Sequence, residues 1–95
     1  MTKHLLRLYI AGESASSRRA ERNMAELRSR VPGAAWDVEI IDVLANPERA
    51  EQAGVLATPT LSYENSTRPR RIVGDLSDTA RVLAFLGIEP KRDEG

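Results

Sequence analysis

Cysteine is absent from this 95-residue chain. Without it, the chain cannot form a disulfide, bind a metal through thiolates or carry out thiol redox chemistry. The absence agrees with a reducing compartment, because cytosolic proteins rarely contain structural disulfides. We therefore expect a cytoplasmic location and no thiol chemistry.

Net charge and long apolar runs are also lacking. The 14 Lys and Arg residues balance 14 Asp and Glu residues, so the chain has no basic excess of the kind that general nucleic-acid binders carry. No apolar run approaches the roughly 20 residues of a membrane-spanning helix, and the N-terminus lacks a signal-peptide cleavage pattern. We expect neither a nucleic-acid partner nor a membrane partner.

Signatures of catalysis and of cofactor binding are missing as well. His4 is the single histidine, and a lone histidine near a chain terminus is usually inert. The carboxylates of Asp37, Glu39 and Asp42 alternate along one segment and form no convincing acid–base pair. No glycine-rich phosphate loop, metal-ligand spacing or nucleophile–base set is present. The sequence predicts a non-enzymatic protein without a cofactor or metal.

The first third of the chain predicts a strand followed by a helix. Residues 5–11 are apolar on both faces of a period-two pattern, which is typical of a strand covered on both sides. Ser14 is a candidate N-cap for the helix, and Pro32-Gly33 ends it. Apolar residues recur in it at helical spacing: Ala20, Met24, Leu27 and Val31.

A second strand and a short helix follow. Apolar residues alternate with acidic residues from 36 to 40, which indicates a strand, and this strand continues through residue 44. Asn46 as N-cap and Pro47 at the first helical position predict the start of a second helix. Gly54 is its natural end.

The last third predicts a hairpin and a third helix. Residues 61–64 and 70–74 are strand-like and are joined by a turn-rich connection. Ser77 is the predicted N-cap of the helix, and Gly87-Ile88 its C-terminal cap. The apolar stripe of this helix consists of Val82, Leu83 and Leu86.

The resulting order, β-α-β-α-β-β-α, predicts an α/β domain. The first βαβ unit makes parallel strands with a right-handed crossover, and the hairpin adds an antiparallel pair. A four-stranded mixed sheet with helices on both faces is the thioredoxin-like arrangement. We assign this domain to residues 1–88 and expect residues 89–95 to form a disordered tail.

Pro59 lies at a special place in this order. In thioredoxin-like folds, the strand after the second helix is preceded by a cis-proline, and Pro59 lies there between two threonines. Only about 5% of X-Pro bonds in folded proteins are cis, but this position favours the cis isomer. We therefore predict a cis Thr58–Pro59 bond. Thioredoxin-like enzymes carry Cys-x-x-Cys at the start of the first helix, where residues 14–17 read Ser-Ala-Ser-Ser.

Four segments carry a further resemblance. They are LYIAG at 8–12, IDVLANPERAE at 41–51, LATPTL at 56–61 and RRIVGDLSD at 70–78. Together, and at matching spacing from Leu5 to Leu86, they resemble the KaiB family of small clock proteins. The resemblance implies a non-catalytic regulator that binds the N-terminal ring of a KaiC-type ATPase. It also implies competition there with the sensor domain of a histidine kinase.

The resemblance implies a set of partner contacts. In the family, the short helix and the loop after it face the KaiC ring, and basic residues recur at the positions of Arg19 and of the Arg70–Arg71 pair. The predicted partner-binding residues are Arg19, Asn46, Pro47, Arg49, Gln52, Ala53, Arg70 and Arg71. Gly54 replaces a basic residue that is common in the family, so that contact is not expected. The alternative is a solvated connector and inert surface arginines.

Two predictions concern structure rather than contact. Gly74 and Asp75 are expected to shape the turn before the last helix. Some family members rest in a different fold, in which the C-terminal half is rebuilt and the chains form tetramers. This sequence keeps only Pro69 of the family's proline run, and its last helix pattern continues to Gly87. Both departures favour the thioredoxin-like state, in a monomer or a reversible homo-oligomer.

Two other functions stay open from the sequence. The sensor domain of KaiC-binding histidine kinases shares the fold and part of the motif set, so the chain could be a redox-inactive domain of that kind. A thioredoxin-fold enzyme with non-thiol chemistry, such as glutathione-linked transfer through Ser14 or Ser17, is the other alternative. The lack of a second, helical domain for a substrate argues against it.

Overall fold

The computed structural model describes residues 3–30, 35–65 and 70–87. Their elements follow the predicted order: β1 (Lys3–Ile10), α1 (Ala15–Arg30), β2 (Ala35–Asp42), α2 (Pro47–Ala53), β3 (Thr60–Tyr63), β4 (Arg70–Val73) and α3 (Thr79–Leu86). The predicted end of α1, part of the hairpin turn, Ile88 and the tail 89–95 lie outside these ranges. Within the ranges, no helix is long and apolar enough to span a bilayer.

The four strands form one mixed sheet in the order β2-β1-β3-β4. β1 is parallel to β2, and Leu8 lies opposite Ile40. β3 is antiparallel to both of its neighbours, so Leu61 lies opposite Leu8 on one side and Ile72 on the other. The predicted sheet is confirmed, and with it the thioredoxin-like arrangement.

The main core lies between one face of the sheet and helices α1 and α3. Alternate residues of β1 point to this face, and Leu6, Leu8 and Ile10 are buried there because side chains alternate along a strand. From α3, the predicted stripe of Val82, Leu83 and Leu86 is buried in this core. From α1, Ala20, Met24 and Leu27 are buried as predicted, and the predicted Val31 lies outside the described residues. Helix α2 lies on the opposite face.

The start of α3 differs from the prediction. Ser77 was the expected N-cap, but Asp78 occupies that position, and its Oδ1 accepts the backbone N–H of Arg81 at 3.2 Å. The loop before the helix explains the difference. The Asp75 carboxylate accepts the N–H of Ser77 at 3.1 Å, and such a local side-chain turn holds Ser77 outside the helix.

Strand β2 is shorter than predicted. It ends at Asp42 rather than at residue 44. The Asp42 carboxylate explains this end, because its Oδ1 accepts the N–H groups of both Gly12 and Leu44 at 2.9 Å. These bonds turn the chain away from the sheet and tie the ends of β1 and β2 together, beside the start of α2.

The loop between α2 and β3 lies beside the end of β4. The Thr58–Pro59 bond is cis, the isomer predicted from the sequence. The Pro59 carbonyl accepts the N–H of Gly74 at 2.9 Å. Gly74 has a φ of 132°, which residues with a side chain rarely adopt. The turn after β4 therefore needs glycine at this position.

Candidate partner-binding site

Helix α2 is exposed over most of its surface and buries none of its seven residues. Pro47 is at its start, as predicted, and Gly54 ends it with a φ of 73°. Asn46 is the N-cap residue, but its side chain does not cap the helix. Its Nδ2 instead donates to the carbonyl of Asp42 at 3.2 Å. The helix is thus attached to the sheet by polar contacts at its ends.

Arg49 provides one of these contacts. Its guanidinium donates two hydrogen bonds to the Glu39 carboxylate on β2, at 2.8 and 3.1 Å. The hydrogen bond from Arg49 is the main cause that lowers the pKa of Glu39 below its usual value, and Arg7, 3.4 Å away, adds to it. Arg49, predicted to contact a partner, is therefore engaged within the chain.

Arg71 provides the second contact, at the other end of α2. Its guanidinium donates to the carbonyl oxygen of Ala53 and, at 3.3 Å, to that of Gly54. Two of the predicted partner-binding residues, Arg71 and Ala53, are thus joined to each other. The sequence predicted both residues as partner contacts and did not predict this contact between them.

Arg70 lies on the opposite face of the sheet from Arg71, because consecutive residues of a strand point to opposite faces. Its guanidinium lies over the rings of Tyr63 and Phe85, with 5.1 and 5.4 Å to the two ring centroids. Such cation–π contacts tie β4 to α3. The arginine pair therefore does not form one continuous basic patch.

Arg19 lies away from α2, at the loop between β4 and α3. Its Nε is 3.0 Å from Asp75, and Asn23 donates to the Asp75 carbonyl at 2.7 Å. The hydrogen bond from Ser77 and then the bond from Arg19 lower the pKa of Asp75. Asp75 thus shapes the turn before α3 and joins it to α1.

Two exposed leucines flank α2 and were missed by the sequence interpretation. Leu44 precedes the helix and is 71% exposed, and Leu56 follows it and is 98% exposed. Leu56 is also part of a shallow hollow, which is lined by Val43, Ala50, Val55, Leu56, Ala57 and Thr58. The signal available in the sequence was an apolar leucine on each side of a polar helix. Exposed apolar groups in one place are typical of interaction sites.

We use the name α2 surface for the larger exposed residues of this region. They are Leu44, Asn46, Pro47, Glu48, Glu51, Gln52 and Leu56.

The position that carries Cys-x-x-Cys in thioredoxin-like enzymes is a helix cap here. Ser14 Oγ donates to Ser17 Oγ at 2.7 Å and accepts the Ser17 N–H at 3.2 Å, so the predicted N-cap is confirmed. Ser17 Oγ also accepts the N–H of Ala11 at 3.0 Å. A hydroxyl nucleophile needs an adjacent base, whereas these bonds join the two hydroxyls to each other and to backbone amides. The ring of the single histidine, His4, is hydrogen-bonded to the Tyr63 hydroxyl and not to either serine.

Comparison with known proteins identifies the family. The KaiB domain matches residues 7–88. The circadian clock protein KaiB3 of Synechocystis sp. is 42% identical over 91 residues, which cover 96% of this chain and 89% of that protein. The circadian clock oscillator protein KaiB of Parasynechococcus marenigrum is 41% identical over 91 residues, with 96% of this chain and 86% of that protein covered.

Solved structures agree on the fold. Mitochondrial thioredoxin 3 of Saccharomyces cerevisiae aligns with a TM-score of 0.73 at 16% identity, over 92% of this chain and 79% of that one. The N-terminal domain of Synechococcus elongatus SasA aligns with a TM-score of 0.72 at 18% identity, over 100% of this chain and 90% of that one. These likenesses show a thioredoxin-like fold, and the family match and the curated relatives show that the chain belongs to the KaiB family.

Proposed function

We propose that this chain is a non-catalytic clock regulator that binds the N-terminal ring of a KaiC-type ATPase through the α2 surface. The observation that carries the proposal is the exposure of α2, which buries no residue and lies between the exposed Leu44 and Leu56. A partner can cover this surface without opening the domain. Burial of a leucine side chain contributes about 1.5–3 kcal/mol.

The proposed contacts revise those expected from the sequence. Asn46, Pro47 and Gln52 remain as direct contacts because they are exposed on the α2 surface, and Leu44 and Leu56 are added. Arg49 and Ala53 are engaged within the chain, so they would contribute indirectly. Arg19 and Arg70 lie elsewhere and would need a second contact region.

Regulation would follow from selective binding. A protein that binds one nucleotide state of the ring better than another shifts the ring toward that state. A histidine kinase sensor domain with the same fold would compete for the same place. The bonding of Ser14 and Ser17 supports a role without catalysis, since the Ser14 hydroxyl caps α1 and the Ser17 hydroxyl accepts the N–H of Ala11.

A binding assay with matched variants tests the proposal. A KaiC-type ATPase from the same organism is immobilised with ATP or ADP, and the affinity of the wild-type chain is compared with that of Leu56→Ser and Leu5→Ser. Leu5 is a partly exposed leucine at the other end of the sheet. We expect Leu56→Ser to weaken binding by roughly tenfold or more and Leu5→Ser to leave it nearly unchanged.

Competition provides the second part of the test. An excess of the kinase sensor domain should displace the bound chain from the ring. The proposal is wrong if the wild-type chain binds the ATPase in neither nucleotide state. The proposed surface is wrong if Leu56→Ser binds as tightly as the wild type.

A further inference from the structure

Helix α2 lacks several of the usual sources of helix stability, although it has a glycine cap at its C-terminus. It has seven residues, none buried, no side-chain cap at its N-terminus and no basic residue in its last turn. Helices of this length are marginal in water unless tertiary contacts hold them. What holds α2 in place must therefore come from other parts of the chain.

The C-terminal end of α2 shows such a contact. The last carbonyl groups of a helix have no partner within it and carry the negative end of the helix dipole. The N–H of Gly54 reaches the carbonyls of Ala50 and Glu51. Two later carbonyls, those of Ala53 and Gly54, accept from the guanidinium of Arg71 on β4. Arg71 supplies the cation that the helix's own last turn lacks.

We infer that Arg71 is a positioning residue, which holds α2 in the orientation that the partner meets, and not a direct partner contact. Part of its guanidinium is already engaged by the two carbonyls, so a direct ionic contact through the same N–H groups would have to displace one of them. Hydrogen bonds from a charged donor are stronger than neutral ones. The inference rests on the proposed function for its effect on binding, but not for its effect on α2.

The neighbouring Arg70 shows that the contact with α2 belongs to Arg71 and not to both arginines of β4. It carries the same charge in the same strand, but it lies over the rings of Tyr63 and Phe85 on the other face. The arginine pair thus holds two helices on opposite faces of the sheet, Arg71 holding α2 and Arg70 holding α3. A variant of each arginine therefore provides the control for the other.

Hydrogen exchange of the free protein tests the positioning role without any partner. We expect Arg71→Gln to speed amide exchange in residues 50–55 by about tenfold, since loss of a charge-assisted cap favours local opening. Exchange in residues 82–86 should stay as in the wild type, which also shows that the domain is folded. Arg70→Gln should leave residues 50–55 unchanged. Arg71→Lys keeps the charge but not the fork of donors, and should give an intermediate effect.

The affinity for the partner, measured at several salt concentrations, then distinguishes a positioning role of Arg71 from a direct contact. If Arg71 positions α2, Arg71→Gln weakens affinity for the immobilised ATPase while the dependence of affinity on salt stays as in the wild type. A direct ion pair across the interface would make that dependence shallower in the variant. A shallower dependence, or unchanged exchange in residues 50–55, would overturn the inference. Faster exchange in the variant, with no binding by the wild type, would support the inference and refute the proposed function.

Discussion

Arg49 on α2 and Glu39 on β2 face each other as a matched fork, with Nη1–Oε2 and Nη2–Oε1 distances of 2.8 and 3.1 Å. Two such hydrogen bonds give a stronger and more directional contact than a single one. The side chains are 42% and 48% exposed, so solvent and salt screen the pair and limit its contribution. Together with Arg71, it fixes both ends of a helix that buries none of its residues.

The first prediction concerns acid stability. Arg49 lowers the pKa of Glu39 in the folded chain, below the value of about 4.3 that is usual in an unfolded chain. A carboxylate of this kind stabilises the fold above its unfolded pKa, and the contribution is lost as the pH falls through the lower, folded pKa. We expect thermal midpoints to fall less in Glu39→Gln than in the wild type between about pH 5 and about pH 3.

Glu51→Gln is the matched control for this experiment. It removes an exposed carboxylate from α2 itself but leaves the pair intact, so its acid profile should follow the wild type. Some acid sensitivity should remain in Glu39→Gln, because the pKa of Asp75 is also lowered. Identical profiles for the wild type and Glu39→Gln would show that the pair does not contribute in solution.

The second prediction compares two helix ends with the same backbone conformation. Gly54 ends α2 with a φ of 73°, and Gly87 ends α3 with a φ of 75°. At Gly54, an added Cβ would lie 3.7 Å from Nη1 of Arg71, an ordinary van der Waals distance, and at Gly87 no described atom lies within 4 Å. Backbone strain is therefore the shared cost. We expect Gly54→Ala and Gly87→Ala each to lower the free energy of unfolding by about 1–2 kcal/mol, measured in urea.

The two variants should nevertheless differ in binding. Gly54→Ala disturbs the α2 surface, so its affinity for the KaiC-type ATPase should fall, whereas Gly87→Ala acts only on stability. Equal losses of affinity in the two variants would mean that overall stability, and not the position of α2, controls binding.

Local signals in the sequence predicted the elements well, and α2 shows why. Pro47 has a fixed φ that suits the first helical position, and Gly54 readily adopts the left-handed conformation that ends a helix. The bounds of α2 therefore needed no tertiary information. The predicted start of α3 was wrong by one residue, because Ser77 and Asp78 are both residue types that cap helices. The choice between them depends on Asp75, whose carboxylate holds the Ser77 amide.

The contacts of the site could not be predicted in the same way. Arg71 reaches carbonyls 17 and 18 residues earlier in the chain, and its direction depends on the register of β4. A shift by one residue would exchange the faces of Arg70 and Arg71. The exposure of Leu56 is likewise decided by packing, since an apolar residue beside a strand is as readily buried as exposed.

The third prediction concerns a buried hydroxyl. Ser17 is fully buried, and its Oγ accepts the N–H of Ala11 at 3.0 Å. Ser17→Ala leaves this amide without its partner, which costs about 1–3 kcal/mol. Urea unfolding should show this loss, whereas Ser16→Ala, at a less buried neighbouring position, should change stability by no more than about 0.5 kcal/mol. A neutral Ser17→Ala would mean that water replaces the hydroxyl.

The last prediction asks whether the scaffold or its side chains exclude redox chemistry. Ser14 and Ser17 lie at the start of α1, with their Oγ atoms 2.7 Å apart. Replacing both with cysteine places two thiols where thioredoxin-like enzymes carry their Cys-x-x-Cys pair. The helix N-terminus stabilises a thiolate at this position. We expect the double variant to form an intramolecular disulfide under mild oxidation, seen as a loss of two hydrogen atoms by mass spectrometry.

Single variants supply the control, because Ser14→Cys alone has no second thiol in the chain and should form only intermolecular disulfides. A double variant that stays reduced under oxidant would contradict the geometry at the start of α1. If the disulfide forms and is reduced reversibly, the scaffold is competent for thiol chemistry. The absence of cysteine at 14 and 17 is then what separates this chain from the redox proteins that share its fold.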